Sequence, residues 1–226
     1  MLDNPRYFSV SEYALTVDFE NVVSEKLNQK ILDLADNIKS NQFAGFIELV
    51  PAFSSLTVFF DPVIVRKNSL SSLTAFQTVK DFIEKISKKT NESQKSNSRE
   101  MEIIFDTSDK FALDLEYISR TKNLSKSEIV EIFTSKIYRV FMLGFLPGFP
   151  YMGEVDERIA VPRKQSPRLK VPQGSVGIAG NQTGIYPLES PGGWQIIGRT
   201  ETELFTSNEK NPVFFQAGDL VKFIAK

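Results

Sequence analysis

Four cations and no anion lie between Arg163 and Lys170, in the proline-broken run RKQSPRLK. Such a loop can seat an anion, and Arg163 and Arg168 are the better ligands in it because a planar guanidinium matches the fork of a carboxylate or phosphate. The competing outcome is a solvated basic loop, the commoner fate of exposed charge. Next comes GSVGIAGNQTG, Gly174 to Gly184. Its glycines, Gly177 and Gly180 among them, can turn bare backbone N–H groups towards a phosphate, with Gln182 and Thr183 adding side-chain contacts. The run matches neither standard nucleotide loop, and no helical pattern follows it. Its other reading is a tight turn between strands. In YPLESPGGW, Tyr186, Glu189 and Trp194 set one carboxylate among aromatics, where burial raises a carboxyl pKa towards that of a base. Tyr186 and Glu189 are therefore the candidate catalytic pair. Alternatively, Glu189 pairs with Arg199 and Trp194 is core. Asp156, Glu157 and Arg158 form a similar local cluster, of the kind that is usually just hydrated.

Absent residues restrict the chemistry further. The 226 residues include no Cys and no His. A thiol nucleophile, a disulfide, a Ser–His relay and a Cys/His zinc site are all excluded, and no metal ligand set is assigned. Any acid or base near neutral pH is a shifted Asp, Glu, Lys or Tyr, or comes from another chain. A net charge of -1 offers no general attraction for nucleic acid or an anionic membrane. No apolar run approaches the roughly 20 residues that span a bilayer, and MLDNPRYFSV lacks the regions of a signal peptide. The expected location is cytoplasmic.

These candidate residues sit in a stretch, Gly144 to Gly198, that holds ten of the 12 glycines and seven of the 11 prolines. It also carries Phe145, Phe149, Tyr151, Tyr186 and Trp194, so it must be folded turns and short strands rather than a linker. Upstream, Tyr13 to Phe19 alternates as a half-buried strand. A helix follows, capped by Ser24 and striped by Leu27, Ile31, Leu34 and Ile38, ending at Asn41. Strands at Phe46 to Val50 and Leu56 to Phe60, a helix from Ser71 to Ile86 and a strand at Met101 to Phe105 complete the order β-α-β-β-α-β of a split βαβ, ferredoxin-like domain. The run KKTNESQKSNSRE, Lys88 to Glu100, holds no aliphatic or aromatic residue and reads as an exposed connection. The expected division is a domain over 1–87, a linker over 88–100 and a second domain over 101–226. In the latter, Leu113 to Ser119 is a short helical segment. Ser125 to Thr134 is a helix opened by a Ser125–Glu128 capping box. Strands at Tyr138 to Phe145, Ser175 to Ala179, Gln195 to Ile197 and Leu220 to Ile224 suggest a small closed barrel. The fold class is α+β.

Three blocks, GFLPGFPYMG, PRKQSPRLKVPQGSVGIAGNQTGIYPLESPGGWQIIGRT and AGDLVKFI, closely resemble a known family. It is that of the B subunits of prokaryotic 5-oxoprolinase, also called allophanate hydrolase subunit 1 or the KipI-like family. GFIELVPAFSSLTVFFDP in the first domain resembles it more weakly. The resemblance implies a small α/β domain followed by a cyclophilin-like β-barrel. It further implies ATP-dependent opening of 5-oxoproline to glutamate together with subunits C and A, magnesium being expected only as the usual companion of ATP. In that setting Arg163 and Arg168 would hold an anion, the 174–184 loop with Gln182 would shape the cleft, and Glu189 would orient water or pair with Arg199. The same family spans an inhibitor of a sporulation histidine kinase and half of the carboxyltransferase part of urea amidolyase, so inhibition of a kinase and carboxyl transfer from a biotinylated partner are the alternative functions. The family commonly has His where this chain has Phe133.

Overall fold

A computed structural model describes residues 5–19, 24–69, 74–88, 98–207 and 210–226. The chain divides into two compact units, 1–97 and 98–226, and each is described by itself.

In the first unit, β1 (Arg6–Ser11), β2 (Ala14–Asp18), β3 (Phe46–Pro51) and β4 (Ser55–Phe60) form an antiparallel sheet in the order β1-β2-β4-β3. Alternation along β4 sends Leu56, Val58 and Phe60 into the core, where they meet Leu27, Ile31, Leu34 and Ile38 of α1 (Glu25–Ser40). Ser24 caps α1 as expected, accepting from the Leu27 amide at 3.1 Å. One short element departs from the expectation. A helix α2 (Pro62–Asn68) follows β4, because the Asp61 carboxylate accepts from the amides of Val63 and Ile64 and Pro62 opens the first turn. The next helix, α3, runs Ala75–Ser87 from a Thr74 cap; Ser71 to Leu73, expected within it, lie outside the described residues, as do residues 89–97 of the expected linker.

The ferredoxin-like order also needs correction. It required the strand after α3 as the fourth strand of this sheet. That strand, β5 (Glu100–Asp106), instead pairs in parallel with β13 (Leu220–Ala225) in the second unit. The fourth place is filled from the other end of the sequence by β1, folded back on β2 through a turn in which Tyr13 is exposed rather than core-facing.

The second unit is built round a closed seven-stranded barrel in the order β10-β7-β6-β13-β5-β12-β9. Its remaining staves are β6 (Ile137–Leu143), β7 (Pro150–Gly153), β9 (Ser175–Ala179), β10 (Gln182–Ile185) and β12 (Gln195–Thr200), while β8 (Arg168–Val171) and β11 (Ser190–Gly192) make a separate two-stranded ribbon. Helices α4 (Leu115–Lys122) and α5 (Lys126–Thr134) precede β6, and both halves of the Ser125–Glu128 capping box are formed. Phe133, at the end of α5, is fully buried against Phe105, Tyr138 and Phe223, with ring centroids 4.9 to 5.8 Å away. Its carbonyl accepts the Tyr138 hydroxyl at 2.9 Å. Position 133 is therefore a packing position in the barrel core, and phenylalanine there fills space rather than deleting a surface group.

Candidate functional site

A second apolar cluster lies apart from the barrel core and joins Phe149, Val171, Ala179, Tyr186, Trp194 and Ile196. Phe149 is its hub, meeting Tyr151, Tyr186 and Trp194 at 4.9, 5.2 and 5.4 Å, two of the three edge-to-face. The loop that carries Phe149 holds Phe145 at φ +68°, exposed, with its ring on the edge of Phe149. A left-handed phenylalanine is backbone strain, and such strain persists only where surrounding structure fixes it.

The basic run is laid beside this aromatic group. The Lys164 amide donates to the Gly193 carbonyl at 2.7 Å, and Gln195 Nε2 donates to the Pro162 carbonyl at 3.1 Å. Arg168 pairs with Gly192 across the ribbon. Glycine at 192 is required by space, since a Cβ there would run into the Tyr186 hydroxyl and ring. The loop's fixed path puts the Arg163 guanidinium 5.8 Å from the centre of the Trp194 ring. It also brings Arg163 and Arg168 into the field of Tyr186.

Asp114, which the sequence reading did not single out, organises the cations. It is only 4% exposed. Its carboxylate accepts from Arg168 through Nη1 at 2.8 Å and Nη2 at 2.7 Å, from Lys164 Nζ at 3.3 Å, and from the Ile196 amide at 2.7 Å. The Asp114 amide in turn donates to the Ile196 carbonyl at 2.8 Å. Around one buried anion, then, stand two bonded cations, with Arg163 nearby, so the cluster keeps a net positive charge. Burial raises the Tyr186 hydroxyl above its ordinary value, opposed by the Trp194 amide that donates to it and by the guanidinium groups. Tyr151 is raised by burial too, with Arg163 opposing. With their hydroxyls raised above the ordinary phenol value, both side chains are placed to donate hydrogen bonds, the form in which the catalytic part expected of Tyr186 would be played.

Several sequence candidates fall outside this group. Glu189 is exposed and pairs with Lys170 at 3.2 Å; it neither meets Arg199 nor enters the aromatic wall. Arg199 donates to the Gln173 carbonyl at 2.8 Å and covers Phe111. Thr183 is fully buried and its hydroxyl donates to the Gly177 carbonyl at 2.9 Å. Gly177 lies inside β9, paired on both sides by Gly184 and Ile196. Gly180, at φ +64°, turns the chain between β9 and β10, and its amide donates to the Val161 carbonyl at 2.7 Å. Gln182 is only half-buried at the start of β10. The 174–184 segment is thus a barrel hairpin whose Gly180 amide and Thr183 hydroxyl are already used, and it does not fit the phosphate-cradling role expected of it. Asp156 is held well below the ordinary carboxylate range by hydrogen bonds from Arg158, as a local surface pair. Among the described residues no group of three or more Asp and Glu side chains is placed to hold a metal. No helix there is long and apolar enough to cross a membrane.

Comparison with known proteins places this arrangement. The family described as carboxyltransferase domain, subdomain C and D, matches residues 5–215. The 5-oxoprolinase B subunit of Bacillus subtilis is 42% identical over 216 residues, covering 95% of this chain and 90% of that one. Its namesake in Haemophilus influenzae is 35% identical, covering 96% of each. Among solved structures, TTHA0988 superposes with a TM-score of 0.80 at 30% identity over 94% of this chain, which spans only 40% of the TTHA0988 chain. The chain belongs to the carboxyltransferase-domain family of subdomains C and D, and within it to the group of the 5-oxoprolinase B subunits.

Proposed function

We propose that this protein is the B subunit of an ATP-dependent 5-oxoprolinase, which converts 5-oxoproline, ATP and water to glutamate, ADP and phosphate together with subunits C and A. The observation that carries the reading is the 42% identity to a named B subunit across nearly the whole of both chains. The site supports it chemically. The substrate carries one carboxylate, and the Arg163, Lys164 and Arg168 group is a net positive cluster beside two neutral phenols and the face of Trp194. A lactam is a poor electrophile, and ATP supplies the phosphoryl group that makes its carbonyl carbon open to attack. This chain's residues would hold the substrate's carboxylate and shield its ring. The reading assigns the phosphates no residue of this chain, and without His, Cys or an enclosed Glu189 the base that activates water belongs to a companion polypeptide. A cytoplasmic location and a cyclophilin-like kinship for the barrel go with the reading. So does dependence on the other subunits, the isolated chain being inert.

The test is reconstitution. The purified chain is mixed with its A and C partners and ADP release is followed with and without 5-oxoproline. Release that needs both 5-oxoproline and this chain is expected; release indifferent to either overturns the reading.

A further inference from the structure

Asp114 stands at the N-cap of α4 yet makes no side-chain cap bond there. A local cap would satisfy an aspartate at little cost, whereas burying its charge elsewhere is unfavourable unless several donors compensate. Both oxygens are turned instead to β12 and to the basic loop, 82, 54 and 50 residues away in sequence. What this arrangement achieves is visible in Arg168. A guanidinium has five N–H donors, and the two bonds to Asp114 use one on each terminal nitrogen. The other three, Nε–H included, have no partner among the described residues, in a side chain only 23% exposed. Held end-on by Asp114, the group keeps its side edge free, and that edge presents two parallel N–H bonds of the geometry that grips an oxyanion.

Resting on the anion-site reading above, we propose that Asp114 is a positioning residue. It fixes the plane of Arg168 so that the unpaired edge meets the substrate's carboxylate, and it acts only through Arg168. The consequence is pre-organisation: the guanidinium does not have to be ordered when substrate arrives.

The experiment is a cycle of variants in the assembled enzyme. Asp114→Asn keeps the size and an acceptor for the Ile196 amide but loses the charge that orients Arg168. Arg168→Lys keeps the positive charge but loses the planar edge. Each is expected to raise KM for 5-oxoproline about tenfold with kcat within twofold, and the double variant to be no worse than either single one, because both remove the same oriented group. Single effects that multiply in the double variant, or equal losses in kcat and in folded fraction by urea unfolding, would overturn the proposal. Should Asp114→Asn fail to fold, Asp114→Glu displaces the guanidinium by about one methylene and is expected to raise KM; a wild-type KM there would overturn it. If Arg168→Lys alone behaves as wild type, the anion-site reading fails; if only the Asp114 variants do, this inference fails by itself.

Discussion

Asp114 and Asp219 look alike in isolation. Each aspartate side chain is 4% exposed and each meets an arginine through two bonds. Asp219 accepts from Arg99 Nε at 2.8 Å and Nη2 at 2.5 Å and from the Gln216 amide at 2.6 Å, while Arg99 Nη2 also donates to the Phe214 carbonyl at 3.0 Å. That pair joins the entry to β5 with the entry to β13, 120 residues apart, and its arginine is 45% exposed, so water serves whatever donors remain. Arg168 is half as exposed, close enough to Tyr186 for its charge to act on that hydroxyl, and shares Asp114 with Lys164. The same chemical pair therefore takes two forms: one ties the entry of β5 to the entry of β13, and the other leaves a donor edge of Arg168 without a protein partner among the described residues, the edge that we propose for a ligand. Burial of an ion pair is not in itself a sign of function; what separates the two pairs is the number of guanidinium donors that the protein leaves unused.

Variants can break that distinction. Asp219→Ala removes the acceptor of a closed clasp and is expected to cost about 2–3 kcal/mol in urea unfolding with turnover per folded molecule unchanged; a larger loss of turnover would make Asp219 a site residue as well. Gly192→Ala drives a methyl into Tyr186. Overpacking of this kind costs about 1–3 kcal/mol, and because it shifts Tyr186 beside Arg168, KM for 5-oxoproline is expected to rise with it, whereas a purely structural clasp would show stability loss alone. Glu189→Gln, which removes only the exposed pair with Lys170, is expected to change stability by less than about 0.5 kcal/mol and turnover by less than twofold; a strong loss would restore Glu189 to the catalytic role first expected of it. The smallest effect concerns pH. Burial and Glu84 push Tyr7 up to about 12. The unfolded phenol ionises near 10, so the contribution of Tyr7 is fully present below about pH 10 and is lost between there and about 12 as the unfolded state gives up its proton first. Urea midpoints taken from pH 8 to 11, with tyrosinate absorbance alongside, should fall only above about 10, and should fall less in Tyr7→Phe.

Much of this was legible in the residues, and the failures share a cause. The capping signals at Ser24 and at Ser125 with Glu128 act within one helical turn, so sequence spacing suffices to find them. The glycine and proline punctuation likewise marks turns such as Gly180. Strand β1 escaped because five of its six residues are exposed, leaving no alternation to read. The pattern of β5 does show a strand, but nothing local says that it pairs with β13, more than a hundred residues on, instead of with the preceding sheet. Asp114 was missed because an aspartate opening a helix looks like an ordinary cap. One signal was available: four cations stand in eight residues, and neither that loop nor its immediate flanks supply a carboxylate to them. The pairing of Glu189 with Arg199 failed for the converse reason, as nearness in sequence is a poor guide once strands turn their side chains to different neighbours.

On our proposal, Arg168 keeps donors for a ligand and Arg99 does not. Arg168→Lys and Arg99→Lys, measured side by side in the reconstituted enzyme, test it most directly, since each keeps its charge and loses only the planar fork. The account predicts a rise of about tenfold in KM for 5-oxoproline, equivalent to about 1.4 kcal/mol, for the Arg168 variant, and a lowered urea midpoint with KM within twofold of wild type for the Arg99 variant. An unchanged KM in the Arg168 variant, or equal rises in both, would contradict it.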